Sequence, residues 1–151
     1  MTLWQTYLPD LNQGLHQQKE LTLLTMCIWG EARGCSIEAQ RAVGFVIRNR
    51  LASRQTRFGL SWRDVMLKPC QFSTFDSKGG QVERLFHPLD NDSEQAWKSC
   101  YASALIAYEE LYEDPCRKAL FYYSGHAAPV WAHQMRETVR IDSFVFLTDQ
   151  V

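Results

Sequence analysis

The sequence lacks an excess of either charge. Its 16 Lys and Arg against 17 Asp and Glu leave a formal net charge of -1, so there is no basic footprint and nucleic acid is not an expected partner. It also lacks an apolar run of membrane-spanning length. Residues 1–10 carry neither a basic region nor a continuous apolar stretch of the kind that directs export. Together these absences predict synthesis in the cytoplasm without a signal peptide or a membrane span. The five cysteines, at 27, 35, 70, 100 and 116, form an odd set with no C-x-x-C pair, which argues against a disulfide framework and favours reduced thiols. Cys27 and Cys100 fall on apolar helical faces as small core residues. Internal repeats, low-complexity tracts and linkers are absent as well. What remains is a single domain over 1–151, whose 46% hydrophobic share is enough to build a core.

Residues 1–17 read as a polar lead-in, with a short helix around 8–15, and 18–148 as the folded core. Leu21, Leu24 and Ile28 recur three and four apart, which predicts a helix over 18–33 with one buried face. Ser36 is placed to cap the next helix, with Glu38 in its first turn. Ala39, Ala42, Val43, Val46, Ile47 and Leu51 mark a buried stripe through 36–52. A basic loop follows over 53–60. Ser61, with Asp64 three residues on, starts a short helix stopped by Pro69. From Pro69 to Asp92 the periodicity disappears, and a loop of that length in a small domain is usually functional. Helical period returns over 93–113 with Trp97, Tyr101, Ala104, Leu105, Tyr108 and Leu111 on one face, ended by Asp114-Pro115. The last third holds β-like runs at 119–123, 138–141 and 144–147, the latter two joined through Asp142-Ser143 as a hairpin. The expected class is α+β: a mainly helical body with a small antiparallel β element near the C-terminus.

Within this frame, Trp29-Gly30-Glu31-Ala32-Arg33-Gly34 delivers a carboxylate to the end of an apolar helix. Partial desolvation there disfavours the ionised form, raises the pKa and makes a general acid near neutral pH. Gly30 and Gly34 leave open backbone beside it for a ligand. The commoner reading of such a glutamate is a partly exposed side chain paired with Arg33 or another surface cation. The sharper reading is a proton donor to a glycosidic oxygen. Rings stack on pyranose faces, while amides and hydroxyls recognise sugar hydroxyl and N-acetyl groups. Gln71, Phe72, Ser73 and Phe75 in the loop, with Tyr122, Tyr123 and Trp131 further on, fit that chemistry. Ordinary packing competes for Phe72, Tyr122 and Trp131.

Other chemistry finds less support. His126 and His133 are seven apart, without a metal-binding spacing, and a zinc site built from the histidines with Cys116 or Cys70 has no motif behind it. Cys35 as a nucleophile would be one unsupported thiol. No metal and no cofactor are expected. Arg33, Arg48, Arg50, Arg54 and Arg57 read as a solvated basic face.

The order of these pieces resembles the spore cortex-lytic-enzyme type of cell wall hydrolases, found in spore-forming and other bacteria and in phages. Four blocks carry the likeness. They are Trp29 to Gly34; Glu38 to Val43 running on to Asn49-Arg50; Lys68 to Ser73; and Ala119 to Tyr122 followed by Pro129 to Ala132, Thr138 to Ile141 and Phe144 to Phe146. The resemblance implies a lysozyme-like catalytic domain acting on the glycan strand of peptidoglycan, with Glu31 at the family's catalytic glutamate. Such relatives cut between N-acetylmuramic acid and N-acetylglucosamine as lytic transglycosylases and leave an anhydro-muramic end. It further implies that Gln71, Phe72 and Ser73 line the cleft, with Tyr122 and Trp131 on the opposite wall. Self-attack by the sugar's hydroxymethyl oxygen would explain why one carboxylate stands out, where most glycosidases need two.

The rivals are a water-using muramidase assisted by Asp76 or another acid and a non-catalytic glycan-binding or regulatory module. Cys35 after the motif glycine and Asp142-Ser143-Phe144 at the hairpin depart from the family pattern. Without a leader of its own, the chain is expected to serve in phage lysis or on a virion, with a holin or virion proteins giving access to the wall.

Overall fold

The apolar run at 21–28 forms the centre of the molecule. In the computed structural model, which describes residues 2–69, 71–76 and 80–150, this run lies in helix α2 (Glu20–Ala32). Every residue from Leu21 to Trp29 is buried. The expectation of a single buried face was too narrow. A helix apolar on all sides goes to the middle of a core, and here α3 (Ile37–Ser53), α4 (Trp62–Leu67) and α7 (Glu94–Glu109) all pack on it. Its two polar interruptions are satisfied: the Thr22 hydroxyl donates to the Tyr7 carbonyl at 2.9 Å and that of Thr25 to the Leu21 carbonyl at 2.8 Å. Gly44 lets α3 come close, since a Cβ there would stand 2.8 Å from that of Ala107 on α7.

The caps expected from sequence form: Ser36 and Ser61 each accept a backbone N–H from three residues on, at 3.2 and 3.0 Å. Ser93 does the same for α7 at 3.1 Å, a cap not read from the sequence. The end of α7 differs from the expected 113. Glu110 adopts a left-handed conformation (φ 52°) and closes the helix, and Leu111 turns outward, 56% exposed.

In the lead-in, helix α1 (Leu3–Thr6) and a 3-10 turn over Leu15–Gln17 replace the helix expected at 8–15. Pro9 disfavours helical backbone at Leu8 and so shifts the helix forward. Tyr7 then stacks on Tyr101 at 5.7 Å, fixing this segment to α7.

The stretch read as one long loop is largely built. It contains a 3-10 turn over Ser73–Phe75, helix α5 (Gln81–Phe86) and helix α6 (Pro88–Asn91). Helices of one or two turns are too short to display a period, which is why the pattern vanished there. Cys70 and residues 77–79 of this stretch lie outside the described residues.

Strands β1 (Phe121–Ser124), β2 (Arg136–Ile141) and β3 (Phe144–Thr148) form an antiparallel sheet in the order β1-β3-β2. Asp142, at φ 53°, makes the tight β2–β3 turn. The class is α+β, as the sequence predicts. No helix among the described residues is long and apolar enough to cross a membrane.

Candidate active site

Glu31 emerges half-buried from the last turn of α2, and hydroxyl groups meet its carboxylate. The Thr74 hydroxyl donates to Oε2 at 2.6 Å, with Ser73 Oγ at 3.5 Å from the same oxygen. The Tyr122 hydroxyl donates to Oε1. Helix, loop and sheet therefore converge on one side chain. Arg33 is not its partner. That guanidinium lies over the Trp29 ring, 4.0 Å from the centroid, and its Nε pairs with Asp92 at 3.0 Å. Burial, and then the charge of Glu31, holds the Tyr122 phenol well above the usual tyrosine range. The phenol stays protonated and remains a hydrogen-bond donor to the carboxylate.

The close approach of Thr74 depends on Gly30. A Cβ at position 30 would sit 2.3 Å from Thr74 Cγ2 and 2.5 Å from Thr74 Oγ1. The backbone that was expected to admit a ligand is thus covered by the threonine. Gly34 meets nothing within 4 Å. Gly30→Ala would gain about 1 kcal/mol of helix propensity. However, Thr74 is buried and β-branched, so it has few rotamers in which to yield. Overpacking of that kind costs about 1–3 kcal/mol. We expect the variant to lose about tenfold in kcat on glycan strands and a few degrees in Tm, the loss in kcat because the displaced group is the hydroxyl that serves Glu31.

Arg50 supports both walls. Read in sequence as part of a solvated basic face, it is instead only 5% exposed. Its Nε donates to the Leu120 carbonyl at 2.7 Å, just before β1, and its Nη1 to Gln71 Oε1 at 3.1 Å, at the start of the loop. The rings of Phe58, Phe72 and Phe121 surround the guanidinium with centroids 4.9, 5.1 and 5.2 Å away. Burial lowers its pKa to about 10, which still leaves it charged at neutral pH. A signal for this was present: position 50 follows Val43 and Ile47 on the buried stripe of α3.

The other candidates separate into groups. Phe72 packs against the Tyr122 ring at 6.4 Å, and Phe144 and Phe146 hold that ring at 5.5 and 5.8 Å. Gln71 reaches the site through Arg50. Tyr123 and Trp131 pack together at 6.2 Å, with Trp131 also 6.0 Å from Phe121. Successive strand residues point to opposite faces, so this pair lies across β1 from the Tyr122 hydroxyl rather than beside Glu31. Thr74 was missed although both neighbours drew attention. A glycine inside a helix, at position 30, was the available sign that something approaches closely.

The departures at 35 and 142 meet in space. Asp142 accepts the Ser36 N–H at 2.8 Å, and burial followed by the Asp142 charge raises the Cys35 thiol. That environment opposes the thiolate a nucleophile needs. Burial pushes Cys100 up to about 12 and raises Cys27 and Cys116 too. Among the described residues, no three His, Cys, Asp or Glu side chains group as metal ligands. Cys70 lies outside those residues.

Beside Glu31 opens a cavity of about 220 Å³ that also takes in Trp29, Arg33, Ser73, Thr74 and, from α5, Gln81, Arg84 and Leu85. Glu31 is the single carboxylate among these described residues, and Asp76 is not among them. Such a site can transfer a proton to and from one ligand atom and can hydrogen-bond polar groups around it.

Comparison with known proteins gives the family and the fold. Residues 34–147 match the family model described as cell wall hydrolase, a stretch that starts just after Glu31 and includes Ser73, Thr74 and Tyr122. A search of curated proteins finds no match. Among solved structures, the chain is similar to the catalytic domain of the germination-specific lytic transglycosylase SleB from Bacillus anthracis. The TM-score is 0.64 at 22% identity, over 93% of this chain and 100% of that one. It is likewise similar to the catalytic domain of the Bacillus cereus SleB protein, with a TM-score of 0.59 at 21% identity over 95% and 97% of the two chains. At these identities the likeness establishes a shared fold. The chain belongs to the cell wall hydrolase family and is a peptidoglycan-degrading enzyme.

Proposed function

We propose that the enzyme cuts the bond between N-acetylmuramic acid and N-acetylglucosamine as a lytic transglycosylase, with Glu31 as both acid and base. The observation that carries this reading is the cavity with a single carboxylate among its described lining residues. Inverting glycosidases hold two carboxyl groups about 6.5–9.5 Å apart and retaining ones about 5–5.5 Å apart. A mechanism needing only one suits this site.

In the first step Glu31 gives its proton to the glycosidic oxygen as the bond from that oxygen to C1 of muramic acid breaks. In the second, the hydroxymethyl oxygen of the same sugar bonds to C1 and its proton returns to the carboxylate. Atoms balance without water. The hydroxyls of Thr74 and Tyr122 are already in place to stabilise the carboxylate present between the steps, so little reorganisation accompanies the charge. Ser73 is assigned to the same cluster. Gln71 and Phe72 shape the cleft wall through Arg50 and Tyr122. Tyr123 and Trp131 have no part at Glu31 and would extend the sugar surface beyond it. The transglycosylase named among the fold neighbours supports the reading.

Borohydride labelling of the new chain ends tests it. Anhydro ends take up no label, and that is the expected result. Labelled reducing ends would make the enzyme a muramidase and require a second acid, for which Asp76 is the first residue to replace.

A further inference from the structure

We propose that Arg84 binds a carboxylate carried on the lactyl arm of the muramic acid residue, so that the enzyme selects glycan strands bearing that charge. The inference rests on the glycosidase reading above and names what the same cavity selects.

The two arginines line the cavity that contains Glu31, yet differ in state. Arg33 is held by stacking on Trp29, by Asp92, and by an Nη1 bond to the Trp29 carbonyl at 3.3 Å. Its charge is already matched. Arg84 is exposed on α5, and its guanidinium has no hydrogen bond or ion pair among the described residues. Glu31 lines the same cavity but makes no ion pair with it; its carboxylate is met by the Thr74 and Tyr122 hydroxyls instead. Among the described residues lining the cavity, Arg84 therefore presents a guanidinium without a partner, five donors in a planar fork, in the same cavity as the group proposed to cut the strand. A guanidinium in that position suits bidentate capture of a carboxylate, and suits a neutral sugar hydroxyl much less.

On peptidoglycan, a carboxylate this close to the scissile bond has two sources. One is the lactyl carboxyl itself, free where the peptide has been removed. The other is the free carboxyl of the glutamyl residue in an attached stem peptide. A muramic acid whose lactyl carboxyl is blocked as a neutral amide and carries no stem offers neither.

The test compares kcat/KM on three substrates: intact strands with stem peptides, amidase-stripped strands, and stripped strands whose carboxyls have been converted to methylamides. The wild type is expected to prefer a charged strand over the methylamide by about tenfold, mainly through KM, the worth of one charge-assisted hydrogen bond at an exposed site. Preference for stripped strands assigns the lactyl carboxylate, and preference for intact strands alone assigns the stem. In Arg84→Gln the ratio should collapse to about one, and Arg84→Lys should restore part of it. Equal cleavage of charged and methylamide strands by the wild type, or an unchanged ratio in Arg84→Gln, would overturn the proposal while leaving the glycosidase reading intact. Failure to cut any of the three would contradict the glycosidase reading itself, and the two failures are distinct.

Discussion

Glu31→Gln is expected to lower glycan cleavage by about 10³-fold or more and to leave the fold intact. General acid–base catalysis by one side chain contributes roughly 10²–10⁴-fold. Here a single residue is asked to act in both proton transfers, which puts the loss toward the upper end. The amide keeps the shape of the carboxyl, and its oxygen can still accept from Thr74 or Tyr122, so the change falls on chemistry rather than packing. Thermal unfolding should move by only a few degrees, and kcat on purified strands is the readout that separates the two. Glu31→Asp is a second probe. It retains an acid but withdraws it by one methylene from the hydroxyls that hold it, and misplacement of about an ångström costs on the order of 10²-fold. Wild-type cleavage by Glu31→Gln would remove Glu31 from the reaction.

Arg50→Ala should be the most destabilising single change near the site, at about 3–5 kcal/mol. Three losses add up. The Leu120 carbonyl and the Gln71 side chain each lose a donor, three aromatic rings lose the cation between them, and a void opens in the core. Against a typical net stability of about 5–15 kcal/mol this is a large fraction, readable as a fall in the urea midpoint. Arg50→Lys keeps the charge but loses the planar fork and its stacking, so it should recover only part of the stability. It should also cut activity in the remaining folded protein, because Arg50 joins the loop carrying Ser73 and Thr74 to the strand carrying Tyr122. A lysine variant with full stability and full activity would contradict that positioning role.

What could be read from the chain alone follows from how local each signal is. The α2, α3 and α7 helices declare themselves through period, α3 also through its Ser36 cap, and the hairpin through its Asp142-Ser143 turn. Glu31 stood out because an apolar helix leads straight into it. The rest is tertiary. Nothing in the local pattern says that Thr74 covers Gly30, since the two are joined only by folding of the loop back onto α2. Arg50 was misread for the opposite reason: a general rule about clustered arginines outweighed its place on a buried stripe. Tyr122 and Tyr123 are adjacent in sequence and chemically alike, but strand alternation sends one to Glu31 and the other toward Trp131. Helices α5 and α6 are too short to show a period, and with them the cavity's second wall, including Arg84, stayed hidden.

The most direct test of the central claim is mass spectrometry of peptidoglycan digested in ¹⁸O-labelled water by the wild type and by Glu31→Gln. If Glu31 serves both proton transfers and the sugar attacks itself, the wild-type products carry anhydro ends, are lighter by one water than hydrolysed ones, and contain no label. They should be absent from the digest made with the variant. Labelled reducing ends, or the same anhydro products from Glu31→Gln, would contradict the account.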